Sequence, residues 1–75
     1  GSYIEDVIKK ILDVSRELIK LSRTIIKISE EINKQLQQGR DTKDLVKKYD
    51  EIIKKYTRIV QHYTELIKEL QKLLS

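Results

Sequence analysis

The sequence predicts an all-α fold: an antiparallel two-helix hairpin over about 3–38 and 42–74, assembling into a left-handed coiled-coil-like helical bundle. Three observations predict it. Apolar residues recur every seven positions on both sides of Gly39, with no insertion anywhere in the repeat. Gly39 is the only glycine beyond the first residue, and it stands in the one polar break. Pro, Cys, Met, Trp and Phe are all absent, and Ile, Leu, Lys, Glu, Gln and Arg dominate what remains, an alphabet that favours helix.

The first helix opens on a capping-box pattern, Ser2 followed by Glu5, in which each side chain can bond a free backbone N–H of the first turn. Its apolar residues then fall into four columns. One is Ile4, Ile11, Leu18, Ile25, Ile32, and a second is Val7, Val14, Leu21, Ile28. A third, Ile8, Ser15, Ser22, Ser29, Leu36, carries three serines, and the fourth runs Leu12, Ile19, Ile26 before turning polar at Asn33. At about 100° per residue these columns span an arc of roughly 160°, with the serines inside it.

Gln37-Gln38-Gly39-Arg40-Asp41 ends this helix, with residues 39–41 as the loop. Gly39 can take the left-handed conformation that stops a helix, and Asp41 with Asp44 is the expected cap of the next one. So short a connection makes the helices antiparallel neighbours. The second helix repeats the spacing in three columns: Leu45, Ile52, Ile59, Leu66, Leu73; Val46, Ile53, Val60, Ile67, Leu74; and, between them, Tyr49, Tyr56, Tyr63, Leu70. Its apolar arc is narrower, roughly 100°. Each helix should be about 50 Å long, and residues 1–75 form a single domain.

Two packed helices hide one narrow seam each, whereas the first helix offers about twice that arc. A lone hairpin would leave whole columns of Ile and Leu wet, and contiguous apolar surface on that scale marks an interface. The covering helices must come from another chain. Two hairpins making four helices is the economical arrangement, and three making six is the next. The expected apolar interface is Ile11, Leu18, Ile19, Ile25, Ile26, Ile32, Ile52, Ile53, Ile59, Val60, Leu66 and Ile67.

The hydroxyl columns sharpen this reading. Folding at Gly39 sets Ser15 opposite Tyr63, Ser22 opposite Tyr56 and Ser29 opposite Tyr49. A buried polar group left unpaired costs about 1–3 kcal/mol, so assemblies that strand a tyrosine hydroxyl are penalised. Ser15, Ser22, Ser29, Tyr49, Tyr56 and Tyr63 are therefore the candidate core network, specifying register and partner. The plainer alternative is that the serines let helices approach while the tyrosines fill space and keep their hydroxyls at the water boundary. Spacing does not decide whether a tyrosine bonds a serine of its own hairpin or of a partner.

Gly1-Ser2 reads as the scar of tag cleavage. Together with the Ser2/Glu5 and Asp41/Asp44 caps, the Gln-Gln-Gly-Arg-Asp loop, the unbroken heptads and the Ser/Tyr columns, it makes the chain resemble de novo designed helical hairpins that assemble into bundles through buried hydrogen-bond networks. The resemblance covers the whole chain and is one of style. It implies association either with another copy or with a distinct cognate hairpin.

Other chemistry is set aside on specific grounds. There is no cysteine, hence no disulfide framework or thiol chemistry. His62, the only histidine, borders the apolar arc without the Glu-x-x-His pairs of di-metal bundles, so no metal or cofactor is expected. No histidine stands near Ser22 for serine catalysis, and the chain does not read as an enzyme or a small-molecule binder. Lys47, Lys48, Lys54, Lys55 and Arg58 form a basic patch, but Tyr49 and Tyr56 lie on the opposite, apolar face, so stacking on nucleic acid is not supported. No apolar run reaches the roughly 20 residues of a membrane span, and no targeting signal stands out. The expectation is a soluble chain, suited to recombinant cytoplasmic expression, of undetermined compartment.

The leading expectation is thus a structural association module. A second copy of itself and a distinct cognate hairpin are nearly balanced as partners. The single sequence favours the first, and the net charge of +4, which an acidic partner would complement, favours the second. The reading from another class is a basic protein binding nucleic acid or a membrane surface.

Overall fold

A computed structural model describes all 75 residues and contains two helices, α1 (Tyr3–Gln37) and α2 (Lys43–Leu74), packed side by side as a hairpin. The periodicity placed both elements to within a residue at each end. The hairpin is a rod of 55 × 16 × 15 Å. Its length is that of about 35 residues rising 1.5 Å each.

Local chemistry explains where each helix starts and stops. Ser2 is extended (φ −108°, ψ 163°) and its hydroxyl oxygen accepts from the Glu5 N–H at 3.2 Å, satisfying one free donor of the first turn. The reciprocal bond from the Ser2 N–H to the Glu5 carboxylate does not form, so half of the expected capping box is present. Its charge, with that of Asp6, still lies at the positive end of the helix dipole.

The turn is a Schellman motif. Arg40 N–H donates to the Gln35 carbonyl at 2.9 Å and Gly39 N–H to the Leu36 carbonyl at 3.0 Å, consuming carbonyls the helix end would otherwise leave free. This geometry needs a left-handed residue, and Gly39 supplies it with φ 68°. The expected cap of α2 is corrected in detail. Thr42 holds the cap position, with no bond from its side chain, while Asp41 accepts from Lys43 N–H at 2.9 Å. A carboxylate two residues before an N–H closes an Asx-type turn, so Asp41 nucleates the helix from just outside it. Asp44 sits within the first turn and acts through charge alone.

The core is thin. Val7, Leu21, Ile28 and Leu66 are the only buried residues of the chain. A compact domain of 75 residues has a radius of gyration of about 11 Å, whereas this rod has 17.1 Å. Two helices provide a seam and no third wall.

Candidate association face

The columns of α1 sort by burial in the order of their angle around the helix. In the Val7 column three of four residues are buried and Val14 is half-buried, so this column faces α2. The next one, Ile4, Ile11, Leu18, Ile25 and Ile32, is half-buried throughout. Further round, Ser15 and Ser22 are half-buried and Ser29 exposed, with Ile8 and Leu36 exposed at the two ends. The last apolar column is in water: Leu12 is 48 %, Ile19 52 % and Ile26 56 % exposed. A branched aliphatic chain left half wet at every seventh position is a stripe, not scatter.

On α2 only Leu66 is buried. Leu45, Ile52, Ile59, Ile53, Val60, Ile67 and all three heptad tyrosines are half-buried, and Val46 is exposed. One edge of the hairpin is closed by Tyr3, whose hydroxyl donates to the Glu69 carboxylate, the only hydrogen bond between the helices. Tyr3 shares its column with Lys10, Glu17, Thr24 and Glu31, on the far side of the Val7 column from the serines. The serine column, the Leu12 column and the tyrosines therefore turn toward the other edge, which nothing closes.

Of the twelve expected apolar interface residues, Leu66 belongs to the hairpin's own seam and is not available to a partner. Ile19 and Ile26 are fully on the open stripe, and the other nine are shared between seam and face. Ile8, Leu12, Leu36 and Val46 join the face although they lie outside that set. Their heptad positions already carried the signal, since Leu12 stands seven residues before Ile19. Tyr3 was invisible to the periodicity, because its partner is 66 residues away.

Each serine of the candidate network donates to the carbonyl four residues back, at 2.8 Å in all three cases: Ser15 to Ile11, Ser22 to Leu18 and Ser29 to Ile25. Thr24, Thr57 and Thr64 do the same on the wet faces, so this is the ordinary habit of a helical β-hydroxyl. No serine bonds a tyrosine within the hairpin. The hydroxyls of Tyr49, Tyr56 and Tyr63 have no protein partner, and none is sealed from solvent.

Around the face the surface is charged. Lys9, Arg16 and Arg23, with Glu30 beyond them, run beside the Leu12 column, all exposed. Arg16 pairs with Asp13 at 3.3 Å and Lys54 with Asp50 at 3.0 Å, both in the open. Such pairs contribute at most about 1 kcal/mol each. The basic patch of Lys47, Lys48, Lys54, Lys55 and Arg58 is exposed and separate from the half-buried Tyr49 and Tyr56. The hairpin encloses no cavity, no three metal-capable side chains converge, and no helix is long and apolar enough to cross a membrane. His62 is exposed.

No protein-family model matches the chain, and no curated protein or solved structure matches it either. The functional reading therefore rests on the face itself. What that face offers chemically is apolar area, three acceptor oxygens and three phenol donors.

Proposed function

We propose that the chain is a structural association module, of the designed-hairpin kind it resembles, which builds a helical bundle by packing the open face against the same face of a second copy. The single observation that carries this reading is the wet aliphatic stripe of Leu12, Ile19 and Ile26, bordered by Ile8, Leu36 and the serine column. Water contact at those side chains is unfavourable by about 25 cal/mol per Å², and covering helices relieve it.

Area supports the scale. The hairpin exposes 5977 Å², where a compact protein of its mass exposes about 4,800 Å². Two separate hairpins expose twice the first figure, and a compact pair would expose about 8,000 Å². The difference, about 4,000 Å² for the pair, falls within the range of obligate homodimers. Reaching the surface of a globular protein of that mass would thus take a contact of the size that stable dimers form.

The charged rim favours a second reading. Lys9, Arg16 and Arg23 beside the stripe, with the net charge of +4, suit a cognate hairpin with an acidic rim better than another basic copy. Light scattering of the purified chain at micromolar concentration distinguishes the two. A uniform mass of two chains supports self-association, while a poorly defined mass that sharpens only with an acidic partner supports the cognate. A folded monomer overturns both and returns the basic binding protein to consideration.

A further inference from the structure

Resting on self-association, we infer that the tyrosine hydroxyls of one copy donate to the serine oxygens of the other, so that Ser15, Ser22 and Ser29 act as acceptors between chains. Within the hairpin each serine proton is already committed to a carbonyl of its own helix at 2.8 Å. A hydroxyl oxygen used as a donor keeps its lone pairs, so each serine is left able to accept and unable to donate elsewhere. The phenols are the converse case. Tyr49, Tyr56 and Tyr63 have a proton to give and no acceptor in their own chain, and their oxygens reach the surface.

Docking a second copy on the open face removes the water that now serves those phenols. Each one needs an acceptor in its place, or the assembly carries a buried unpaired hydroxyl. The backbone carbonyls of both helices already accept helix bonds along their length, and those of Ile11, Leu18 and Ile25 accept a serine proton as well. On the open face of α1, the polar oxygens available at heptad spacing are the serines. Donors and acceptors then match in number, three and three per chain, and in spacing, seven residues or about 10 Å along the axis. The result is a chain of bonds, phenol to serine to backbone carbonyl, in which each donation strengthens the next. A pair of copies satisfies six phenols with six serines, a slip of one heptad strands one phenol in each chain, and any other slip strands them all.

Mixing complementary variants tests this directly. One triple variant, Tyr49→Phe, Tyr56→Phe and Tyr63→Phe, has acceptors and no donors. The other, Ser15→Ala, Ser22→Ala and Ser29→Ala, has donors and no acceptors. Each like pair loses every bond between chains, while the mixed pair keeps half of them and strands no phenol. If the bonds were within chains, neither pairing would keep any. Because the two triple variants have equal mass, one is labelled with nitrogen-15, the two are unfolded and refolded together, and native mass spectrometry counts the pairs. Circular dichroism of each variant alone verifies that it is helical. Should the serine triple variant not fold, Ser22→Ala against the tyrosine triple variant gives a smaller bias of the same sign.

The expected result is a ratio of mixed to like pairs about tenfold or more above the even ratio of random assortment. Random assortment of stable dimers overturns the inference and leaves self-association standing. A wild-type chain that stays monomeric overturns self-association, and this inference with it.

Discussion

Tyr3, in the first turn of α1, donates its hydroxyl proton to the carboxylate of Glu69 near the end of α2, and no other hydrogen bond joins the two helices. The two residues close the end of the rod farthest from the Gly39 turn, on the edge away from the serine and tyrosine columns. The contact is exposed, so it orients more than it stabilises.

That contact has a pH signature. The hydrogen bond to Glu69, then its negative charge, then partial desolvation raise the Tyr3 pKa above its ordinary value of 10.0. The bond requires the neutral phenol, so its contribution is fully present below the unfolded value and is lost as pH rises through the higher folded value. In an alkaline absorbance titration, the Tyr3 phenol should therefore ionise above the ordinary range. Glu69→Gln should bring it back toward the ordinary range, and Tyr3→Phe should remove it; a wild-type titration without that late step would refute the contact.

The exposed stripe and the buried seam should respond oppositely to substitution. Ile26→Lys places an ammonium where the hairpin leaves the side chain 56 % exposed, so helicity and hairpin folding should change little. Assembly should fall by tenfold or more, because the charge becomes buried and unpaired in any partner. Leu66→Ala, in the seam, should cost the hairpin about 2–5 kcal/mol. Sedimentation and thermal melting together separate the two effects.

Ser22→Leu should leave the isolated hairpin helical, since Ser22 is only half-buried and faces the open edge. In an assembled core the added volume overpacks by about 1–3 kcal/mol per site, and the lost oxygen strands a phenol as well. The expected outcome is unchanged circular dichroism at low concentration with at least tenfold weaker assembly. Tighter assembly would mean that no tyrosine meets Ser22 across the interface.

Gly39→Ala should destabilise the turn by about 1–2 kcal/mol. Nothing lies within 4 Å of where the new Cβ would stand, so the penalty is purely the left-handed backbone at φ 68°. Gly39→Asn should cost less, because asparagine tolerates that region better. A denaturant midpoint measured on both variants checks the order.

Much of this molecule was legible in its residues because a heptad repeat is a local signal. Each apolar position declares its own angle on the helix, and the columns of α1 and α2 follow without knowledge of any contact. Gly39 declared the turn for the same reason, since one residue type alone satisfies its φ cheaply. The caps were legible in part: Ser2 bonds Glu5 N–H as its position implies, whereas Asp41 acts from one residue outside the helix because a short carboxylate reaches the second N–H on as readily as the third.

The sequence by itself determined two amphipathic helices, the glycine turn between them and an apolar arc on α1 wider than one neighbour can cover. Only the tertiary structure decided which part of that arc α2 takes. The Val7 column is buried and the Leu12 column is wet because two cylinders touch along a line, and the angle of that line depends on both helices at once. It also decided that Tyr3 meets Glu69, 66 residues away along the chain. Periodicity reports the angle at which a side chain leaves its helix, and it carries no information about where the hydroxyl proton then goes.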